Sequence, residues 1–418
     1  MTSRSRARSL APLLAAGLVI AASSTGSPAR AAPGDSLAVR GATVHTAAGP
    51  PIEDGVVVVL DGKIHAVGPA SEVEIPEGIK TVSAAVVTPG LIDAHTVVGL
   101  TGHLNQDHDQ DQLERSAPIQ PELRAIDAYD ARERLVRWVR GFGVTTVHTG
   151  HAPGLLVSGQ TLIAKTRGDT VDDAVIVPRA MLAVTLGEGA LSRDEDDGPP
   201  GTRSKAVAML RSELIRARDY RDRSDERGEP RDRDLRLEVL AAALDGEIPL
   251  MVTVHRHNDI LAALRIRDEF GVRMVLDGAS EAYLVTGEIS RSGVPVIVHP
   301  TMKRAVGEAE NLSMETAARL ADAGVPLALS SGYESYVPKT RVLLFEAAIA
   351  AAYGLGAERA LGAATVDAAR LLGIDDRVGT LEVGKDGDLA LFDGDPFEYT
   401  SHCVGTIIEG QQVSRGER

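Results

Sequence analysis

Between Val86 and Val98 an apolar run reaches Pro89-Gly90, resumes at Leu91-Ile92, and ends in Asp93 and His95. A strand that is apolar on both faces has to be covered on both, as in a parallel sheet flanked by helices. Polar side chains at the end of such a strand sit where a (β/α)8 barrel presents its chemistry, at the C-terminal rim. This segment predicts an α/β architecture with a functional rim.

The rest of the chain agrees. Short apolar runs at Gly143–His148, Leu250–His255, Arg273–Asp277, Pro295–His299 and Pro326–Ser330 read as strands, with helical stretches such as Ser204–Tyr220 and Val342–Tyr353 between them. This alternation predicts a (β/α)8 TIM-type barrel over 89–372. No Gly-x-Gly-x-x-Gly follows the first strand, which argues against dinucleotide binding. The two ends are β-rich instead. Val56–Leu60 and Lys63–Val67 flank an Asp61-Gly62 hairpin turn, and Gly379–Phe392 and Val404–Gly410 alternate short strands with Gly and Asp turns. They predict a small β-sandwich-like domain built from both termini, 36–88 with 376–416.

Aromatics make up only 3% of the 418 residues, so the core has to be aliphatic. Arg4, Arg6 and Arg8 precede an apolar run from Leu10 to Ala22, and Ala29-Arg30-Ala31 follows. A basic start, a short apolar core and a small-x-small site predict a signal peptide over 1–31 and an exported protein, periplasmic or extracellular; an anchor helix is the alternative. Removing that segment deletes four Arg and no acids, taking the formal charge from -15 to -19. Such a chain repels nucleic acid and, once the signal is cleaved, anionic membranes. Its partner is then expected to be a small-molecule substrate, with homo-oligomerisation left open. A single cysteine, Cys403, excludes an intrachain disulfide and Cys-rich metal sites.

His95, His148, His255 and His299 each fall at a predicted strand end. In a parallel barrel all strand C-termini open at one rim, so these imidazoles are expected to converge. Neutral imidazole suits Zn, and Asp93 could complete or orient the set.

The run Pro89-Gly90-Leu91-Ile92-Asp93-Ala94-His95 resembles the first barrel strand of the amidohydrolase superfamily, and Gly384-Lys385-Asp386-Gly387-Asp388-Leu389 resembles its C-terminal strand motif. The resemblance covers most of the chain after residue 36 and is nearest to imidazolonepropionase-like members. It implies one or two divalent metals held by a His-x-His, a carboxylated Lys or Glu, one His each on the fifth and sixth strands, and an Asp on the eighth. Here His95 matches but Val97 replaces its partner, and the middle strand offers Glu188 and no Lys. His255 matches the fifth-strand ligand, and Asp277 stands for the sixth-strand His. Ser331 or Gly332 occupies the place of the acid–base Asp.

Two readings follow. The first is a hydrolase of a cyclic amide or similar small non-peptide C–N bond, using an altered, mononuclear metal site. Its ligands would be His95, His255, Asp277 and His148, with Asp277 and His299 as catalytic candidates and Zn as the expected ion. Ser158, Gln160, His257 and Tyr333 would contact substrate, with Glu334, Lys339 and Arg341 close behind Tyr333. His151 and the acidic loop Asn105–Asp111 are further candidates, each with a bland alternative in turn structure or solvation. The second reading is a catalytically inactive homologue that keeps the barrel as a small-molecule binding or scaffold protein; the cofactor is then a divalent metal or none.

Overall fold

The computed structural model describes residues 35–192, 198, 200–227, 232–333 and 342–415, without the side chains of 224–227. The expected signal peptide lies outside the described residues. The fold is mixed α/β. Among the described residues no helix is long and apolar enough to cross a membrane.

The first four strands are β1 (Leu37–Val44), β2 (Ile52–Leu60), β3 (Lys63–Pro69) and β4 (Lys80–Pro89). The β2–β3 hairpin closes through Asp61 and Gly62, with φ of 50° and 79°. Both residues take the left-handed conformation that a tight two-residue hairpin requires. At the other end of the chain lie three more strands, here β15 (Leu389–Phe392), β16 (Cys403–Ile408) and β17 (Gln411–Ser414). All seven join one sheet in the order β17-β16-β15-β4-β1-β2-β3. Leu389 pairs with Pro89 across the β15–β4 junction, so the two ends of the chain share this unit. Alternate residues bury opposite faces: Val57 and Val59 join one apolar cluster, Val56 and Val58 another.

The intervening strands are β5 (Leu91–Thr96), β6 (Val144–Thr149), β7 (Val157–Gln160), β8 (Leu162–Lys165), β9 (Val175–Val177), β10 (Leu182–Thr185), β11 (Leu250–Val254), β12 (Met274–Gly278), β13 (Val296–Val298) and β14 (Leu327–Leu329). Strands β10 to β14 pair in parallel, and β5 pairs in parallel with β6. β7 is antiparallel to β10 and β8 antiparallel to β6, which the sequence pattern did not foretell. Backbone bonds continue from β14 to β5, where Gly332 N donates to the His95 carbonyl at 3.0 Å. At the opposite side Thr161, between β7 and β8, bonds Met181 just before β10. This arrangement is consistent with a TIM-type barrel. Its interior holds Ile92, Ile163, Ala183, Met251, Val275, Ile297 and Ala328, one residue from each of seven strands. A larger aliphatic cluster fills the space between strands and helices.

Long helices run over Arg203–Arg227, Leu235–Leu244 and His257–Phe270. The first extends the predicted Ser204–Tyr220 helix into the charge-dense stretch that follows. Asp234 starts the second by accepting hydrogen bonds from the backbone N–H of Arg236 and Leu237.

A buried charge cluster ties the terminal sheet to the strands. Lys165, at the end of β8, donates to Asp388 at 2.5 Å and reaches Asp386 at 3.0 Å. Asp386 also meets Lys63 and Arg377, and Asp388 accepts from the Glu409 backbone N–H. Burial alone would push the Lys165 ammonium toward neutrality, but the two aspartates hold its pKa above the usual range.

Candidate functional site

The strand ends gather polar side chains because side chains two residues apart share a face. Met251 and Val275 point inward, so Thr253 and Asp277, two residues further on, do the same. Thr253 donates its hydroxyl hydrogen to Asp277 Oδ2 at 2.6 Å, and Asp277 Oδ1 meets His95 Nδ1 at 2.9 Å. Burial works against charge on both partners. Their mutual attraction outweighs it, so His95 sits above its ordinary pKa and Asp277 below its own. Asp93 is turned to the segment after β14, accepting from Ser331 N at 2.9 Å and from its hydroxyl at 2.5 Å. Burial nevertheless pushes the Asp93 carboxyl up to about 6.

The other imidazoles are held separately. His148 uses both nitrogens, Nδ1 on the Ala94 carbonyl at 2.7 Å and Nε2 on the Thr161 hydroxyl at 2.6 Å. Its ring centroid is 6.1 Å from that of His95. Burial lowers its pKa to about 4. His299 faces its neighbour's carbonyl at Pro300 and, at 3.4 Å, the Thr316 hydroxyl. His255 pairs Nδ1 with Ser280 Oγ at 2.8 Å, while Nε2 accepts from the Lys303 ammonium at 3.2 Å. Burial, then the Lys303 charge, bring its pKa down to about 3. A cavity of about 490 Å3 opens beside these groups, lined by Thr185, Thr253, His255, Lys303, Glu308 and Tyr333 among others.

This donor set does not fit a divalent metal. Each Asp277 oxygen already holds a partner, His148 has no nitrogen to give, and an ammonium faces the His255 lone pair. Among the described residues no three His, Cys, Asp or Glu side chains are arranged to hold an ion. The strand-end groups lie near one another: Asp277 bonds His95 and its charge acts on His148 and His255, while His148, His255 and His299 are each also hydrogen-bonded to other neighbours. Where the resemblance calls for a second His, Val97 is buried, and the carboxylate at 277 pairs with His95.

Comparison with known proteins accounts for the architecture. The amidohydrolase family matches residues 303–413. An imidazolonepropionase from Caulobacter sp. (strain K31) is 27% identical over 82% of this chain and 88% of its own length. An amidohydrolase of known structure from Thermotoga maritima MSB8 is 29% identical with a TM-score of 0.85, covering 91% of this chain and 100% of that one. The chain belongs to the amidohydrolase superfamily. A longer relative, the amidohydrolase tasK of Hapsidospora irregularis, is 26% identical over 86% of the chain, which spans 39% of that protein's length.

The remaining expected residues are scattered. Tyr333 lines the cavity. Ser158 and Gln160 are buried in β7, where Gln160 donates to the Pro121 carbonyl, so neither lines it. His257 starts the His257–Phe270 helix and pairs with Glu281 at 2.7 Å. His151 is buried with neither ring nitrogen paired among the described residues, and burial lowers its pKa to about 4. In the acidic loop, Asp109 accepts from the Leu104 and Gln106 backbone N–H groups, a turn-forming role. Glu334, Lys339 and Arg341 lie outside the described residues.

The reading from sequence missed Lys303 and Thr253. The chain has only seven lysines, and one of them stands four residues past the His299 strand end; that rarity was the available signal.

Gly332 shows why the missing acid is not simply restored. Its φ is +67°, and a Cβ built there would lie 2.6 Å from Pro300 Cγ. Gly332→Asp is expected to destabilise the protein by about 1–3 kcal/mol through backbone strain and that clash. Urea denaturation checks it, and wild-type stability in the variant would show that the ring gives way.

Proposed function

We propose that this protein is an amidohydrolase-superfamily barrel that binds a small polar molecule at its mouth without a resident metal, and that it does not run metal-hydroxide hydrolysis. The observation that carries the reading is the commitment of the family's metal-binding positions to one another and to neighbours. His95 is paired with Asp277, and the nitrogen of His255 is covered by Lys303. Activated hydroxide needs a cation with an open coordination position, and these residues do not make one. The acid–base carboxylate is absent as well, a loss worth on the order of 10²–10⁴ in rate.

Metal analysis of natively purified protein tests this. Well under one equivalent of Zn, Fe or Mn is expected, together with no turnover of lactams, amides or dipeptides. A full equivalent that survives dialysis and disappears in His255→Ala would count decisively against it.

A second reading, a C–N hydrolase with an altered single-metal site, draws on one observation. His95 Nε2 is buried and has no hydrogen-bond partner among the described residues, while Nδ1 is anchored by Asp277. An imidazole oriented in this way is a competent ligand or base. The hydrolase screen above separates the two readings. The same proposal takes 89–372 as a (β/α)8 barrel, supported by the strand pairing, and treats residues 1–31 as an export signal. N-terminal sequencing of the mature protein should then begin at Ala32.

A further inference from the structure

The short helix Arg134–Arg140 turns Val136 and Val139 into the core and leaves Arg134, Arg137 and Trp138 exposed. Arg134 lies one turn from both Arg137 and Trp138, so the three share one face. Trp138 is 41% exposed and rests on Phe142, with ring centroids 4.7 Å apart. Acids beside this helix are engaged elsewhere. Glu133 accepts from the Leu135 N–H and from the His103 N–H, and Asp169 faces Arg132 at 3.4 Å. Arg134 and Arg137 have no ion-pair partner among the described residues. At half-buried Arg140, burial and then the Arg137 charge lower the pKa, with no carboxylate to offset them. Phe142 and Gly143 lead from this helix into the start of β6, whereas His148 lies at the other end of that strand. The exposed face is therefore turned away from the candidate site.

On a chain with a formal charge of -15 this face is a basic and aromatic island. Salt screens exposed charges beyond about 8 Å, so the arginines themselves decide what touches the face. An extended polyanion, such as nucleic acid or an anionic membrane, would also meet the acidic remainder of the surface. A short acidic segment would not. A second copy docked face to face would set arginine against arginine. Guanidinium groups grip carboxylates with a planar fork, and Trp and Arg are the residues that most often anchor protein interfaces. We infer that the outer face of the Arg134–Arg140 helix is a docking surface for an acidic segment of a partner protein, its arginines taking carboxylates and Trp138 packing on an apolar side chain between them. This role is independent of the chemistry at the strand ends.

Trp138 is the only tryptophan of the chain, so its fluorescence reports on this face alone. The test is titration of the full chain with a short peptide of glutamates flanking one phenylalanine, against the same peptide with glutamines. A saturable change in emission is expected, with the glutamate peptide bound about tenfold or more tighter than its neutral counterpart. Added salt should weaken it. Arg134→Gln/Arg137→Gln should lose about tenfold or more in affinity, and Arg134→Lys/Arg137→Lys less. Both double variants keep Trp138 and change only exposed side chains, and circular dichroism checks that they fold. Equal binding of the two peptides, no saturable change, or unchanged affinity in the folded glutamine variant overturns the inference. Vesicles of phosphatidylglycerol that shift the emission where the acidic peptide does not would overturn it in favour of a lipid surface. A dimer in solution that Arg137→Glu abolishes would overturn it in favour of a second copy.

Discussion

Lys165→Met should lower stability by about 3–5 kcal/mol, the cost of breaking a buried ion pair from one side. For a chain of this size that corresponds to roughly 10 °C in thermal midpoint. The reason is the unequal fate of its two partners. Asp386 keeps Lys63 and Arg377, but Asp388 retains only the Glu409 N–H on its other oxygen. Lys165, Asp386 and Asp388 are each at least 95% buried, so water cannot take over the lysine's place without opening the contact between β8 and the terminal sheet. The neighbouring strand packs as closely on that sheet: a Cβ at Gly143, just before β6, would fall 2.8 Å from Ala390 Cβ. The double variant Lys165→Met/Asp388→Leu should recover part of the loss, because an apolar pair leaves no orphaned charge. A drop below about 1 kcal/mol in Lys165→Met would mean that Asp388 rehydrates and that the cluster is not a structural clamp.

The same residues show what sequence can carry. Asp388 was visible as part of the Gly384–Leu389 motif, but its partner Lys165 is 223 positions away on a strand that the hydrophobic pattern did not single out. Strand β8 follows β7 after a single residue and runs antiparallel to β6, so it falls outside the strand–helix alternation that marked β11 to β14. The strands ending at Asp277 and His299 were legible because each is a continuous apolar segment closed by a polar residue, and the His148 strand because its residues are β-branched. The partner of each ring was not legible: His148 takes the Ala94 carbonyl on the adjacent strand, and His299 the carbonyl of the next residue, Pro300. The substitution Val97, read directly from the sequence, was the better guide to the site than the count of histidines.

Acid should unfold this protein well before its surface carboxylates are all protonated. His148 and His151 are held near pKa 4 and His255 near 3, in each case first by burial, against about 6.5 in the unfolded chain. Below pH 6.5 the unfolded state therefore takes up protons that the folded state refuses. The stability these rings contribute is fully present above the unfolded value and is lost as pH falls toward the folded one. Between pH 7 and 5 the three together lose on the order of 6 kcal/mol. Two groups act the other way. Asp93, near 6 in the folded protein, is penalised when charged and regains about 1 kcal/mol over the same interval. His95, raised by Asp277, strengthens the fold as it protonates. A net loss of about 4–5 kcal/mol, reduced further by His95, is expected, a large share of the total stability of a typical domain. Urea midpoints at pH 7, 6 and 5 measure it. His151→Gln should flatten the slope by roughly half, since an amide has no proton to refuse. A stability that stays level from pH 7 to 5 would show that these rings are hydrated in solution, and the picture of a dry strand-end network would have to be given up.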